Sequence, residues 1–85
     1  TTKIYTLSLH DALPIYHVEK EGDTCTLLAV NAGTATCEPV FKVQVAAQTS
    51  IEVKFENRNI TSGKNRFRDG FEPLAVHVYR WRSDR

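Results

Sequence analysis

The sequence predicts an all-β chain, a small and incomplete antiparallel β-sandwich of immunoglobulin-like or Greek-key type, and three observations carry that prediction. Apolar and polar residues alternate with period 2 in Phe41-Lys42-Val43-Gln44-Val45 and again in Ile51-Glu52-Val53-Lys54-Phe55-Glu56, sets that a helix would scatter around its circumference. The run Thr24-Cys25-Thr26-Leu27-Leu28-Ala29-Val30-Asn31 is apolar on both faces, as an interior strand requires. Turn formers separate these runs at Glu21-Gly22-Asp23, at Asn31-Ala32-Gly33-Thr34 and at Ser62-Gly63-Lys64-Asn65.

The first stretch stands apart. Residues 1–15, TTKIYTLSLHDALPI, resemble the translation of a common short-read sequencing adapter, TTEIYTLSLHDALPI, from which they differ only at Lys3, a single base change. The resemblance implies that residues 1–15 are not a native segment, and that residues 16–85 are an N-terminally truncated domain. Tyr5, Leu7 and Leu9 alternate with polar neighbours as a strand would, an alternation without selected meaning if the segment is adapter. The adjacent pair His10 and Asp11 is not read as a proton-transfer dyad, because adjacency in sequence does not place two side chains in bonding geometry.

Each later element follows from its own residues. Tyr16-His17-Val18-Glu19 alternates weakly as a strand, and the run from Thr24 follows it after a turn. In the third run Phe41, Val43 and Val45 share one face, and Pro39, lacking a donor, belongs at its start or on an edge. In the fourth, Ile51, Val53 and Phe55 point inward and Glu52, Lys54 and Glu56 outward. Asn57–Thr61 and Arg66–Asp69 are short extended segments, and Gly70 and Pro73 bracket a bend that delivers Phe71 to the core. The closing strand, Leu74–Trp81, has one face of Leu74, Val76 and Val78 and a second of Ala75, His77, Tyr79 and Trp81. Two such faces require cover within the fold, or rest of the aromatic face on another domain.

Composition narrows the function classes. The 85 residues carry 11 Lys and Arg against 10 Asp and Glu, a net charge of +1. The basic residues near the end (Arg66, Arg68, Arg80, Arg82, Arg85) are interleaved with Asp69, Glu72 and Asp84, a solvated pattern rather than a phosphate-binding stripe, so nucleic acid is not expected as a partner. No apolar run approaches the roughly 18 residues of a membrane-spanning helix, and no membrane partner is expected. Cys25 and Cys37 flank a turn and could meet across two strands, although two free, half-buried thiols are the expectation. His17 and His77 lack a third ligand at metal spacing, and no metal or cofactor is expected. Glu52 and Glu56 read as a solvated strand face, and Asp69 and Glu72 as turn or sheet-end residues, rather than as catalytic carboxylates. Asn59-Ile60-Thr61 matches the N-glycosylation pattern, a short motif frequent by chance.

Three segments in order then resemble one family. The strand Asp23–Asn31 is similar to the "YLLAVN" strand of the small C-terminal β-sandwich of bacterial glycoside hydrolases, with Cys25 and Thr26 departing from its aromatic preference. Ile51–Arg58 resembles that domain's "V-x-V-x-F-E-N-R", and Phe67–Arg80 its closing "F-x-D-x-F-x-P-x-x-V-H-V-Y". The resemblance implies a non-catalytic accessory domain that packs against a catalytic (β/α) barrel bearing the active-site carboxylates. It further implies that Asp69 anchors the final bend and that Phe71 and Val78 belong to the core. His77, Tyr79 and Trp81 are the candidate functional residues, either for docking to that barrel or, in the alternative of a carbohydrate-binding module, for stacking on glycans. Compartment and substrate stay open.

Overall fold

The computed structural model describes the backbone of residues 2–6 and all of residues 15–83. Eight strands make up this region: β1 (Thr2–Thr6), β2 (Ile15–Glu21), β3 (Thr24–Val30), β4 (Val40–Lys42), β5 (Ser50–Val53), β6 (Arg58–Thr61), β7 (Arg66–Arg68) and β8 (Val76–Arg82). Six form one antiparallel sheet in the order β1-β2-β3-β8-β5-β6, and β4 pairs with β7 in a small second layer. The chain is an all-β antiparallel sandwich, as its alternation predicts.

Period-2 alternation sorts the residues of the large sheet. On its inner face Tyr16 pairs with Ala29, and Val18 with Leu27. Leu27 in turn pairs with Tyr79, and Cys25 with Trp81. The second layer meets this face with Phe41 and Phe67, which are paired to each other, and with Phe71. Phe41 is the hub: its ring lies 4.9 Å from Tyr16, 5.1 Å from Phe67 and 6.0 Å from both Phe71 and Tyr79. Edge-to-face and tilted ring packing of this kind adds about 0.5–1.5 kcal/mol per pair beyond the area buried.

Strand β3 lies between β2 and β8, and its burial alternates along its whole length, which accounts for a run apolar on both faces. Asn31 ends it and is fully buried, with its carboxamide satisfied three ways: Gly33 N–H donates to Oδ1, while Nδ2 donates to the carbonyls of Ala35 and Glu72. A polar side chain pays for burial only when its bonds are made, and here they lock the β3 exit to the bend before β8.

Several expectations need correction. The third run forms a strand only at Val40–Lys42. Beyond it the chain bends, though Val45 stays buried and the indole of Trp81 donates to the Gln44 carbonyl at 3.1 Å. The fourth run stops at Val53, and residues 54–57 form a tight turn into β6, closed by Glu56 N–H donating to the Val53 carbonyl. Phe55 is therefore 90% exposed rather than inward-facing. Val78 is half-buried on the outer face of β8 instead of in the core, because Tyr79, one residue on, takes the inner face. Cys25 and Cys37 do not face each other across a hairpin. Cys25 lies in β3 and Cys37 bridges to Phe71 in the other layer; both thiols are free, as expected, Cys37 half-buried and Cys25 fully buried.

Candidate functional site

The closing strand was expected to offer His77, Tyr79 and Trp81 to a partner, and the structure turns all three inward. Tyr79 is completely buried and Trp81 is 3% exposed. Their aromatic face is covered by this chain's own second layer, since Phe67 packs at 4.9 Å from Tyr79 and 5.6 Å from Trp81. No open ring face is left on either for a sugar or a neighbouring domain. His77 is half-buried with its ring 4.4 Å from Phe71 in an edge-to-face arrangement.

Tyr79 and His77 instead help to form a polar network at one end of the core, while Trp81 bonds the Gln44 carbonyl. The Arg58 guanidinium donates two bonds to the Asp69 carboxylate, at 3.1 and 2.9 Å, the bidentate geometry that a planar fork favours. The phenol of Tyr79 donates to Asp69 Oδ2 at 2.7 Å. Arg58 Nε also donates to Glu56 Oε1 at 3.0 Å, and Glu56 Oε2 bonds His77 Nδ1. The chain of contacts runs Tyr79, Asp69, Arg58, Glu56, His77, and it begins and ends on β8. Strand alternation makes this possible, because residues 77 and 79 share a face and Arg58, which opens the edge strand β6, lies in register with Tyr79 through Val53 of the intervening β5.

The electrostatics follow the geometry. Burial alone would raise the Asp69 carboxyl, and the bonds from Arg58 and Tyr79 outweigh it, so the group is held below its ordinary range. Glu56 behaves alike: partial burial raises it, and the bonds to His77 and Arg58 bring it below the usual value. Tyr79 is pushed far up, first by burial and then by its bond to the carboxylate. Arg58 is raised as well, chiefly by its hydrogen bonds to Asp69. Among the described residues no buried side-chain polar atom lacks a partner. A general acid or base must be reachable by substrate, and Asp69, with 11% of its side chain exposed, faces Arg58 and Tyr79 instead. The arrangement does mechanical work, tying β8 to the β5–β6 turn.

The other expectations resolve by register. His17 pairs with Leu28 and lies on the outer face, whereas His77 pairs with Ala29 on the inner, so the two imidazoles are on opposite sides of the sheet. Glu56 departs from the solvated face assigned to it, because the turn at 54–57 carries it to His77. Glu52 remains exposed and meets Arg80 at 3.3 Å. Arg66, Arg68, Arg80 and Arg82 are exposed. His10 and Asp11 lie outside the described residues.

Sequence reasoning missed Phe55, which stands in solvent with φ of +69°. Asn57 follows at +57°, a conformation to which Asn is suited and a bulky ring is not. Asn57-Arg58-Asn59 after an alternating run was the available signal, since Asn tolerates the left-handed region that a tight strand connection needs. Comparison with models of known protein families, with curated proteins and with solved structures gives no match.

Proposed function

We propose that residues 16–85 are the C-terminal β-sandwich of a bacterial glycoside hydrolase, a non-catalytic module that packs against and stabilises a catalytic (β/α) barrel, and that residues 1–15 are translated adapter joined to it. The observation that carries this reading is the fate of the signature that resembles the family's. Phe67, Phe71 and Tyr79 are spent on the core, and Asp69 and His77 on the network that fastens β8.

The outer face of the sheet supports packing on a larger body. Val76 is 52% exposed and Leu74, just before β8, is 73% exposed, while Val30, the register partner of Val76, and the pair Leu28 and Val78 two rows on are half-buried on the same face. Clustered aliphatic residues on one sheet face are the kind of surface that a second domain covers.

Two measurements test the reading. In an independent long-read copy of the locus, the reading frame upstream of codon 16 is expected to continue into a barrel. A start codon followed in frame by residues 1–15 overturns the assignment. The purified chain is also expected to leave aryl glycosides uncleaved, whereas hydrolysis that disappears in Glu56→Gln makes the chain an enzyme.

A further inference from the structure

The outer face of β5 and β6 holds a second feature, unrelated to the aliphatic rows. Phe55 sits at the apex of the turn with its ring in water, beside a shallow pocket of about 410 Å³ lined by Glu52, Val53, Phe55, Asn57, Arg58 and Asn59. Glu52 and Asn59 are register partners, and both also line an adjoining depression of about 640 Å³ that runs on past Thr24, Ser50 and Arg80. The two depressions share Glu52 and Asn59 and thus make one open trough across four strands, with an aromatic ring at one end and carboxylate, carboxamide, hydroxyl and guanidinium groups along the floor.

Three facts separate Phe55 from an incidental surface residue. Its backbone occupies the left-handed region, where a bulky side chain is disfavoured and glycine would be free of strain. The turn that presents it is fastened at the next residue, because Glu56 bonds both His77 and Arg58. The Lys54 ammonium lies over the ring, 5.5 Å from its centroid, and the 90% exposure of Phe55 leaves an apolar face open to solvent. An exposed aromatic face beside Asn57, Asn59 and Glu52 has the make-up that recognises sugars: the ring accepts the C–H face of a pyranose, and amides and a carboxylate take its hydroxyls.

The geometry points to a glycan-binding trough on the β5–β6 face, with Phe55 as the stacking platform and Glu52 and Asn59 as the hydroxyl-binding pair, taking a neutral oligosaccharide lengthwise. Openness and shallowness set a weak affinity, with a dissociation constant on the order of 1 mM. Its aromatic platform is Phe55 and not Trp81, which borders the adjoining depression but is buried, and the site does not depend on the accessory-domain reading, because the residues that form it lie apart from the aliphatic rows that a barrel would cover.

The test is a titration of the isotope-labelled 85-residue chain with maltohexaose and with xylohexaose, followed by backbone amide NMR shifts. The expected result is saturable shifts confined to residues 52–59 and 80–82 with at least one of the two sugars. Phe55→Gly, which suits the backbone at that position, is expected to keep the fold's spectrum and to weaken binding at least about tenfold. Glu52→Gln is expected to weaken it to a smaller degree. Absence of saturable shifts with both sugars overturns the proposal, as does binding that Phe55→Gly leaves intact. Line broadening at Phe55 that depends on protein concentration rather than on sugar overturns it too, assigning the ring to self-association.

Discussion

Asp69 is the residue on which most depends. It accepts three hydrogen bonds from two charged or phenolic donors while lying largely out of solvent, so its removal leaves Arg58 and Tyr79 without their acceptor. Asp69→Asn keeps the shape and loses the charge. It is expected to cost about 2–3 kcal/mol, the range for a hydrogen bond to a charged group, read as a lower urea midpoint at unchanged slope. The pH dependence has a definite sign. Asp69 and Glu56 are both held below their ordinary values, so each binds protons less readily folded than unfolded. Their contribution is complete above the usual carboxylate value of ~4 and drains away as pH falls from there toward the lower folded values. Chemical denaturation between neutral and acid pH is expected to show this loss, and Asp69→Asn is expected to flatten it. An identical acid slope in the variant places the coupling elsewhere.

At the scale of elements, the β5–β6 connection is where local chemistry and packing pull apart. The alternating pattern through Phe55 favours a longer strand, yet the chain turns after Val53, because β6 must return with Arg58 beside Val53 for Ile51 to meet Ile60. Two left-handed residues, Phe55 and Asn57, on either side of Glu56 accomplish the reversal. A left-handed L-residue costs about 1–2 kcal/mol, against about 0.5–1 kcal/mol for the entropy that glycine loses on folding. Phe55→Gly is therefore expected to stabilise the chain by about 0.5–1 kcal/mol, measured as a raised thermal midpoint. A destabilised variant means that the ring contributes packing that its exposure does not reveal. Strand β8 shows the opposite case, where tertiary structure and alternation agree: inner residues 77, 79 and 81 meet the aromatic layer, and outer residues 78, 80 and 82 do not.

For the whole molecule, stability rests on one aromatic cluster sandwiched between six strands and two. A chain of this size buries only about 60% of its unfolded surface, so few subglobal states can survive loss of the cluster. Cys25 provides a probe of that cooperativity. Its thiol is buried in β3 opposite Trp81, with β2 on the other side, so exposing it requires breaking both pairings. Burial raises its ionisation above the ordinary thiol value, which Lys20 only partly offsets, and raises that of the more accessible Cys37 as well. Thiol-specific labelling is expected to modify Cys37 first and to reach Cys25 at the rate of global unfolding. Labelling of Cys25 that is independent of denaturant at low concentration means that β3 opens locally instead.

The sequence by itself determined that the chain is β, where most strands begin, and that β3 is interior, because alternation and turn chemistry are local properties of neighbouring residues. It also indicated that Asp69 is a sheet-end residue and that Phe71 enters the core, because Gly70 and Pro73 bracket a bend there. Only the tertiary structure decided which face of β8 is covered. Both faces are apolar enough to be buried, and the choice depends on Phe41 and Phe67 arriving from distant parts of the chain to pack on Tyr79 and Trp81. Only the fold likewise joined Glu56 to His77 across 21 residues and set Phe55 into water. Those outcomes follow from where a strand must stop for its neighbour to return in register, a condition no single segment contains.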